Sequence, residues 1–199
     1  MDETKILVLS DIHYPKAELN EISEIIVAEI PDKLILLGDV ALYLSSSDKF
    51  FEMINKIGCK NYSAISGDDD VIANPVKRLE MDLNGRKLIF MHGHQFNVLS
   101  ERITERVATL LKKINPNLPV FAFALVSRVR SCSRAPYLIL GHTHALKFFP
   151  GLRVICSGCL TTDMNVYNDR GYVVITAGRD GTVQLTLNRI DGEKAVFDI

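Results

Sequence analysis

Residues 5–13 read KILVLSDIH: a short run rich in β-formers that ends on a serine, an aspartate and a histidine. A continuous apolar run of this length, bounded at once by polar residues, reads as a strand buried on both faces. The same construction recurs twice. Residues 33–37, KLILL, exit at Gly38-Asp39, and residues 61–65, NYSAI, run into Ser66-Gly67-Asp68. Between these strands lie two helical patterns. Leu19, Ile22, Ile26 and Ile30 share one face, with Glu18, Glu21, Glu24 and Glu29 largely off it; Phe50, Ile54 and Ile57 share another across residues 46–57, and Gly58 supplies a stop. Strand–helix–strand–helix–strand predicts a parallel sheet with helical crossovers.

Further along, the rhythm changes. Residues 79–83 alternate apolar and acidic, Asn84-Gly85 is a type I′ hairpin signal, and residues 87–91 return as a buried strand. Residues 153–156, 172–177, 182–188 and 195–199 carry strand signals separated by Arg179-Asp180-Gly181 and Asp191-Gly192 turns. Parallel units followed by hairpins predict two sheets packed face to face with helices outside. We read residues 1–199 as one domain of the α/β class. Residues 97–135 form a helical insertion within it. There Leu99, Ile103, Val107, Leu110, Leu111 and Ile114 make a stripe that ends at Asn115-Pro116, and Pro119 starts a second helix followed by Arg128, Arg130 and Arg134. The stripes are expected to pack on the sheet or on each other. The arginines are expected in solvent, or reaching a substrate phosphate from a lid or dimer face.

Bulk composition narrows the classes. Of 199 residues, 47% are hydrophobic and 24% charged, as in ordinary globular proteins, and the net charge of −1 offers no basic surface for nucleic acid or anionic membranes. The N-terminus has no secretory pattern, and no apolar run approaches a membrane span. A cytoplasmic protein is expected, with Cys59, Cys132, Cys156 and Cys159 reduced; the C-x-x-C of Cys156 and Cys159 has no second pair to complete a zinc site.

The chain has five histidines. His13 follows the first strand, His92 and His94 follow the hairpin's return strand in MHGH, and His142 and His144 follow residues 137–140 in GHTH. Asp11, Asp39 and Asp68 end the first three strands. Strand C-terminal ends are where open α/β sheets bind ligands. Neutral imidazoles together with carboxylates are the donor set of divalent transition metals, and seven candidates (Asp11, His13, Asp39, Asp68, His92, His142 and His144) are too many for one tetrahedral ion but suit two. Asp39 taken alone reads equally well as a helix cap.

D-x-H at Asp11 and His13, G-D at Gly38-Asp39, Gly67-Asp68, H-G-H at His92–His94 and G-H-T-H at Gly141–His144 resemble the ordered motifs of calcineurin-like metallophosphoesterases, most closely the short prokaryotic phosphodiesterase branch. The resemblance implies a four-layer α/β/β/α sandwich and a dinuclear centre holding manganese first, with zinc, iron or nickel as alternatives. It implies that Asp11, His13 and His144 bind one ion, His92 and His142 the other, and that Asp39 bridges them. It also implies attack on a small-molecule phosphoester by a bridging hydroxide, with diesters favoured over monoesters and pyrophosphates. Two positions depart from the pattern. Asp68 stands where the family usually has a metal-binding asparagine, and Asp69 stands where many members have a proton-donating histidine. His94 and Asp69 are therefore the catalytic candidates. The competing reading is a non-catalytic protein-interaction scaffold, like the retromer subunit of the same fold, and a homodimer is compatible with either.

Overall fold

The structure is a computed structural model that describes residues 3–97, 101–131, 136–163 and 165–199. Strands β1 (Thr4–Leu9), β2 (Lys33–Leu37) and β3 (Tyr62–Ile65) alternate with helices α1 (Leu19–Glu29) and α2 (Leu44–Lys56). The hairpin β4 (Leu79–Leu83) and β5 (Arg86–Met91) turns at Asn84-Gly85, both with positive φ as a type I′ turn requires. After it come α3 (Glu101–Ile114), α4 (Leu118–Arg130), β6 (Tyr137–Leu140), β7 (Leu146–Phe149), β8 (Val154–Ser157), β9 (Gly171–Ala177), β10 (Val183–Arg189) and β11 (Lys194–Asp198).

Two sheets result, ordered β11-β10-β9-β1-β2-β3 and β4-β5-β6-β8-β7. β1 pairs in parallel with β2, and β2 with β3; β5, β6 and β8 are likewise parallel neighbours. Strand alternation divides the side chains among three apolar layers. Ile6, Val8, Ile35 and Leu37 face Leu88, Phe90, Ile139 and Ile155 across the sheet interface. Leu7, Leu9, Leu34 and Leu36 pack against Ile22, Ile26, Phe50 and Ile54 of α1 and α2. Ile89, Leu138, Leu140 and Val154 pack against Val120 and Ala124 of α4. The molecule is thus the expected α/β/β/α sandwich, and the central β1, β2 and β6 are apolar on both faces because both are covered.

Two details, at β7 and at Arg128, differ from the sequence reading. β7 was not anticipated: it is an edge strand pairing only with β8, and its Lys147-Phe148-Phe149 are only partly buried, so it shows no clean alternation. α4 supplies the fourth layer and belongs to the crossover that joins parallel β5 and β6. Arg128, expected in solvent or at a phosphate, is buried, and its guanidinium donates to the carbonyls of Leu152, Pro136 and Arg153 at 2.6–2.9 Å. It ties the end of α4 to the start of β6 and β8. Arg134 and Cys132 lie outside the described residues, as does Leu99. Cys156 and Cys159 are buried free thiols, and burial pushes the Cys156 thiol up to about 12, which leaves it unreactive.

Candidate metal centre

Because β1, β2, β3, β5 and β6 run the same way within their sheets, their exits gather at one edge of the sandwich. The exits are zipped together by the backbone. The N–H of Asp11 donates to the carbonyl of Gly38 at 3.1 Å, that of His13 to Asp39 at 2.7 Å, and that of Gly141 to His92 at 2.9 Å. Asp11, His13, Asp39, His142 and His144 all have φ between 49° and 66°. Left-handed backbone at a non-glycine residue costs about 1 kcal/mol or more. Concentrating five such residues at one edge is the signature of a site that the surrounding fold holds in place.

All five histidines and all three strand-end aspartates converge there. His92 Nε2 lies 2.9 Å from Asp68 Oδ1, 3.3 Å from Asp39 Oδ2 and 4.0 Å from Asp11 Oδ1. His144 Nε2 is 3.4 Å from Asp11 Oδ1, His13 Nε2 is 3.7 Å from Asp39 Oδ2, and His142 Nδ1 is 3.3 Å from Asp68 Oδ1. His94 Nδ1 stands 3.7 Å from the same Asp68 oxygen. Asp39 does not cap a helix: α2 begins five residues later with Tyr43 at its N-cap. Four donor groupings tight enough for an ion emerge: Asp11, His13 and His144; Asp11, Asp39 and His92; Asp68, His92 and His94; and His13, Asp39 and Asp69. The first is the set expected for one ion. In the third, His94 stands with Asp68 and His92, while His142 meets Asp68 from the side.

The protonation states follow from the partners. The ring of His92 is fully buried, and its Nδ1 lies 2.9 Å from the carbonyl of Leu37. A carbonyl only accepts, so Nδ1 carries a hydrogen, and Nε2 is the nitrogen that takes a second proton beside the carboxylates or would give its lone pair to a metal. Gly38 makes this possible: a Cβ there would lie 2.2 Å from His92 Nδ1. Gly67 plays the same part opposite Asp39, whose Oδ1 a Cβ would meet at 1.9 Å. Burial opposes ionisation of Asp11, yet His92, His144 and the Ser10 hydroxyl at 2.5 Å hold its carboxyl down to about 2. Burial likewise opposes ionisation of Asp68, but His142 and His92 drive it well below the usual range. Burial disfavours the charged form of His92, but Asp11, Asp39 and Asp68 together push its pKa well above that of free histidine. His94 shifts the other way, lowered by burial and by the neighbouring His92 charge.

Two residues outside the motifs organise the centre. Asp70, the last residue of the GDDD run, accepts backbone N–H groups from Asp39 at 2.8 Å, Val40 at 2.5 Å, Gly67 at 2.7 Å and Ala41 at 3.3 Å. It clamps the β2 exit to the β3 exit while leaving Asp68 free to face the histidines. Asp69 donates its N–H to Asp39 Oδ1 at 3.0 Å, and its exposed side chain lies on the His13 side. Asn97 Nδ2 is 2.9 Å from His142 Nε2. In the metal-free tautomer the amide donates to that nitrogen. A cation on Nδ1 would shift the hydrogen to Nε2, which then donates to the amide oxygen once the group turns over.

A metal pair fits this donor set. Among the described residues, every ion-pair partner of Asp11, Asp39 and Asp68 within 4 Å is a histidine, with no lysine or arginine. His13 Nε2, His92 Nε2, His94 Nδ1 and His144 Nδ1 are buried without a hydrogen-bond partner. Buried carboxylates and unpartnered imidazole nitrogens side by side are costly without cations between them.

Comparison with known proteins gives the family and the fold. The sequence profile of the calcineurin-like phosphoesterase superfamily domain matches residues 4–179. The chain belongs to that superfamily. Its fold is similar to wild-type Vps29 complexed with zinc from Entamoeba histolytica (TM-score 0.62, 15% identity, covering 98% of each chain). It is also similar to YfcE, a phosphoesterase from E. coli (TM-score 0.58, 16% identity, 98% of this chain and 100% of that one), and to Vps29 from Cryptosporidium parvum (TM-score 0.63, 18% identity, 100% and 98%). No curated protein matches the chain. Among the described residues, no helix is long and apolar enough to cross a membrane.

Proposed function

We propose that this member of the superfamily hydrolyses phosphodiesters, and that Asp11, His13, Asp39, Asp68, His92, His142 and His144 hold two divalent transition-metal ions for the purpose. The observation that carries the reading is the convergence of five histidines and three carboxylates from both sheets on one strained, hydrogen-bonded edge. Histidine-rich donors with carboxylates suit manganese, zinc, iron or nickel. When bound, such a pair supplies a water that ionises near neutral pH and positive charge for the transferred phosphoryl group.

The protein's own groups do the rest. The carbonyl of Leu37 fixes the His92 tautomer, Asn97 holds the His142 ring in place, and Asp70 holds Asp39 and Gly67 in register. Asp39, between the His13 and His92 groups, would be the ligand shared by the two ions. His94 lies at the mouth, more exposed than His92, and holds the proton for the leaving oxygen. Asp69 sits on the opposite, His13 side, so its part is to add negative charge to the rim. Asp68 places a carboxylate where the family usually has a neutral amide, and a fixed charge there repels a doubly charged monoester more than a singly charged diester. The scaffold reading draws on that same substitution. The two are separated by assaying the protein, saturated with manganese, against bis(p-nitrophenyl) phosphate and p-nitrophenyl phosphate. Hydrolysis of the diester in preference to the monoester is expected; hydrolysis of neither would favour the scaffold.

A further inference from the structure

A groove runs off the metal centre beneath the α3–α4 helices. Its near end is a cavity of about 110 Å3 whose lining includes His142, Asn97, Phe123 and Tyr167. Its far end, about 160 Å3, lies between the two helices among Val107, Leu111, Ala122 and Val126. Ala108 and Phe123 line both, so the two adjoin. The Phe123 ring lies 6.2 Å from that of His142, which puts the apolar wall directly beside a candidate metal ligand.

The chemistry of the lining selects the occupant. Among the described lining residues there is one carboxylate, Glu105, and one imidazole, His142, and no lysine or arginine. A polyphosphate or nucleotide arm would need cations that the groove does not offer; an apolar chain needs what it does offer. Each cavity is comparable with the roughly 150 Å3 of an apolar cavity that takes a benzene molecule. Of the α3 stripe, expected to pack on the sheet or against another stripe, Val107 and Leu111 turn toward α4, whereas Ile103, Leu110 and Ile114 are 49%, 61% and 78% exposed, and α4 adds Val129 at 69%. Both helices that form the groove thus also carry exposed apolar side chains.

We infer that the substrate is a phosphoester bearing a long apolar chain, its phosphate at the metal centre and its chain in the α3–α4 groove. The inference rests on the phosphodiesterase reading for its chemistry, though not for its binding test. That test compares octylphosphonate with methylphosphonate, neither of which can be hydrolysed at its P–C bond, by calorimetric titration of the manganese-saturated protein. One buried methylene is worth about fourfold in affinity, so three buried methylenes give roughly 50-fold tighter binding of the octyl compound. Ala108→Trp, which fills the junction of the two cavities, should cut that ratio below about tenfold. Ala122→Glu, which puts a charge in the far end, should do the same and serves if the tryptophan variant fails to fold. Equal affinities for the two phosphonates would overturn the inference, and a dimer in sedimentation would then assign the groove to a second copy of the chain. A preserved ratio with no hydrolysis of methyl p-nitrophenyl phosphate would uphold the groove and remove the catalytic reading instead.

Discussion

Replacing Asp70 with asparagine tests whether the metal centre is held by its loops or merely displayed on them. The carboxylate takes amide hydrogens from Asp39 and Gly67 on one oxygen and from Val40 and Ala41 on the other. An asparagine keeps one oxygen and turns an NH2 toward the other pair of donors. At least two charge-assisted bonds are lost, each worth about 1.5–3 kcal/mol, so the expected loss is about 3 kcal/mol or more. For a chain of this length, one kcal/mol moves Tm by about 2–4 °C, which gives a fall of roughly 6–12 °C. Calorimetry of the metal-free protein reads this directly. Since Asp39 and Gly67 both shift, metal affinity should also fall at least tenfold, by titration with manganese. A Tm within about 2 °C of the parent, with metal affinity intact, would refute the clamp.

Four further outcomes follow from the same geometry. Asp68→Asn removes one negative charge from beside His92 and His142; it should loosen one ion and raise monoesterase relative to diesterase activity, and an unchanged ratio at saturating metal would count against the charge argument. His94→Ala should slow hydrolysis of alkyl leaving groups far more than of p-nitrophenolate, which leaves without a proton; equal slowing would assign His94 to metal binding. Because carboxylates raise the pKa of His92 and a metal must displace its proton, loading at pH 7 should release protons and affinity should rise with pH, as calorimetry in two buffers can show. In the metal-free protein, Asp11 falls from 3.8 to about 2 on folding, so its contribution of about 2 kcal/mol is complete above pH 4 and disappears as pH drops through 2; an acid-unfolding curve of Asp11→Asn that matches the parent would contradict this.

Much of the architecture was legible in the sequence because parallel strands covered on both faces leave continuous apolar runs. KILVL and KLILL became β1 and β2, and Asn84-Gly85 turned the hairpin as its φ preference demands. The site was legible for the same reason: its residues sit one to four positions past the end of such runs. Where local pattern carries no such signal, the reading stopped. β7 is an edge strand with partly buried residues, so nothing in 146–149 alternates. Arg128 gave no hint of burial, since its three carbonyl partners come from the starts of other strands. Asp70 and Asn97 act through a loop crossing and a hydrogen bond to a ring, neither of which leaves a periodic trace, although the triple aspartate was a visible oddity. The α3 stripe has the right period for a packed helix, and period alone does not tell whether a stripe meets the sheet or the solvent.

The central claim is that the sandwich edge holds two cations through Asp39. Elemental analysis of the manganese-saturated, desalted protein measures it most directly, alongside Asp39→Ala and a circular dichroism spectrum of each. The account predicts two ions per parent chain and one or fewer in the variant, with the fold unchanged. Trace metal in a folded parent protein, or two ions retained without Asp39, would contradict it.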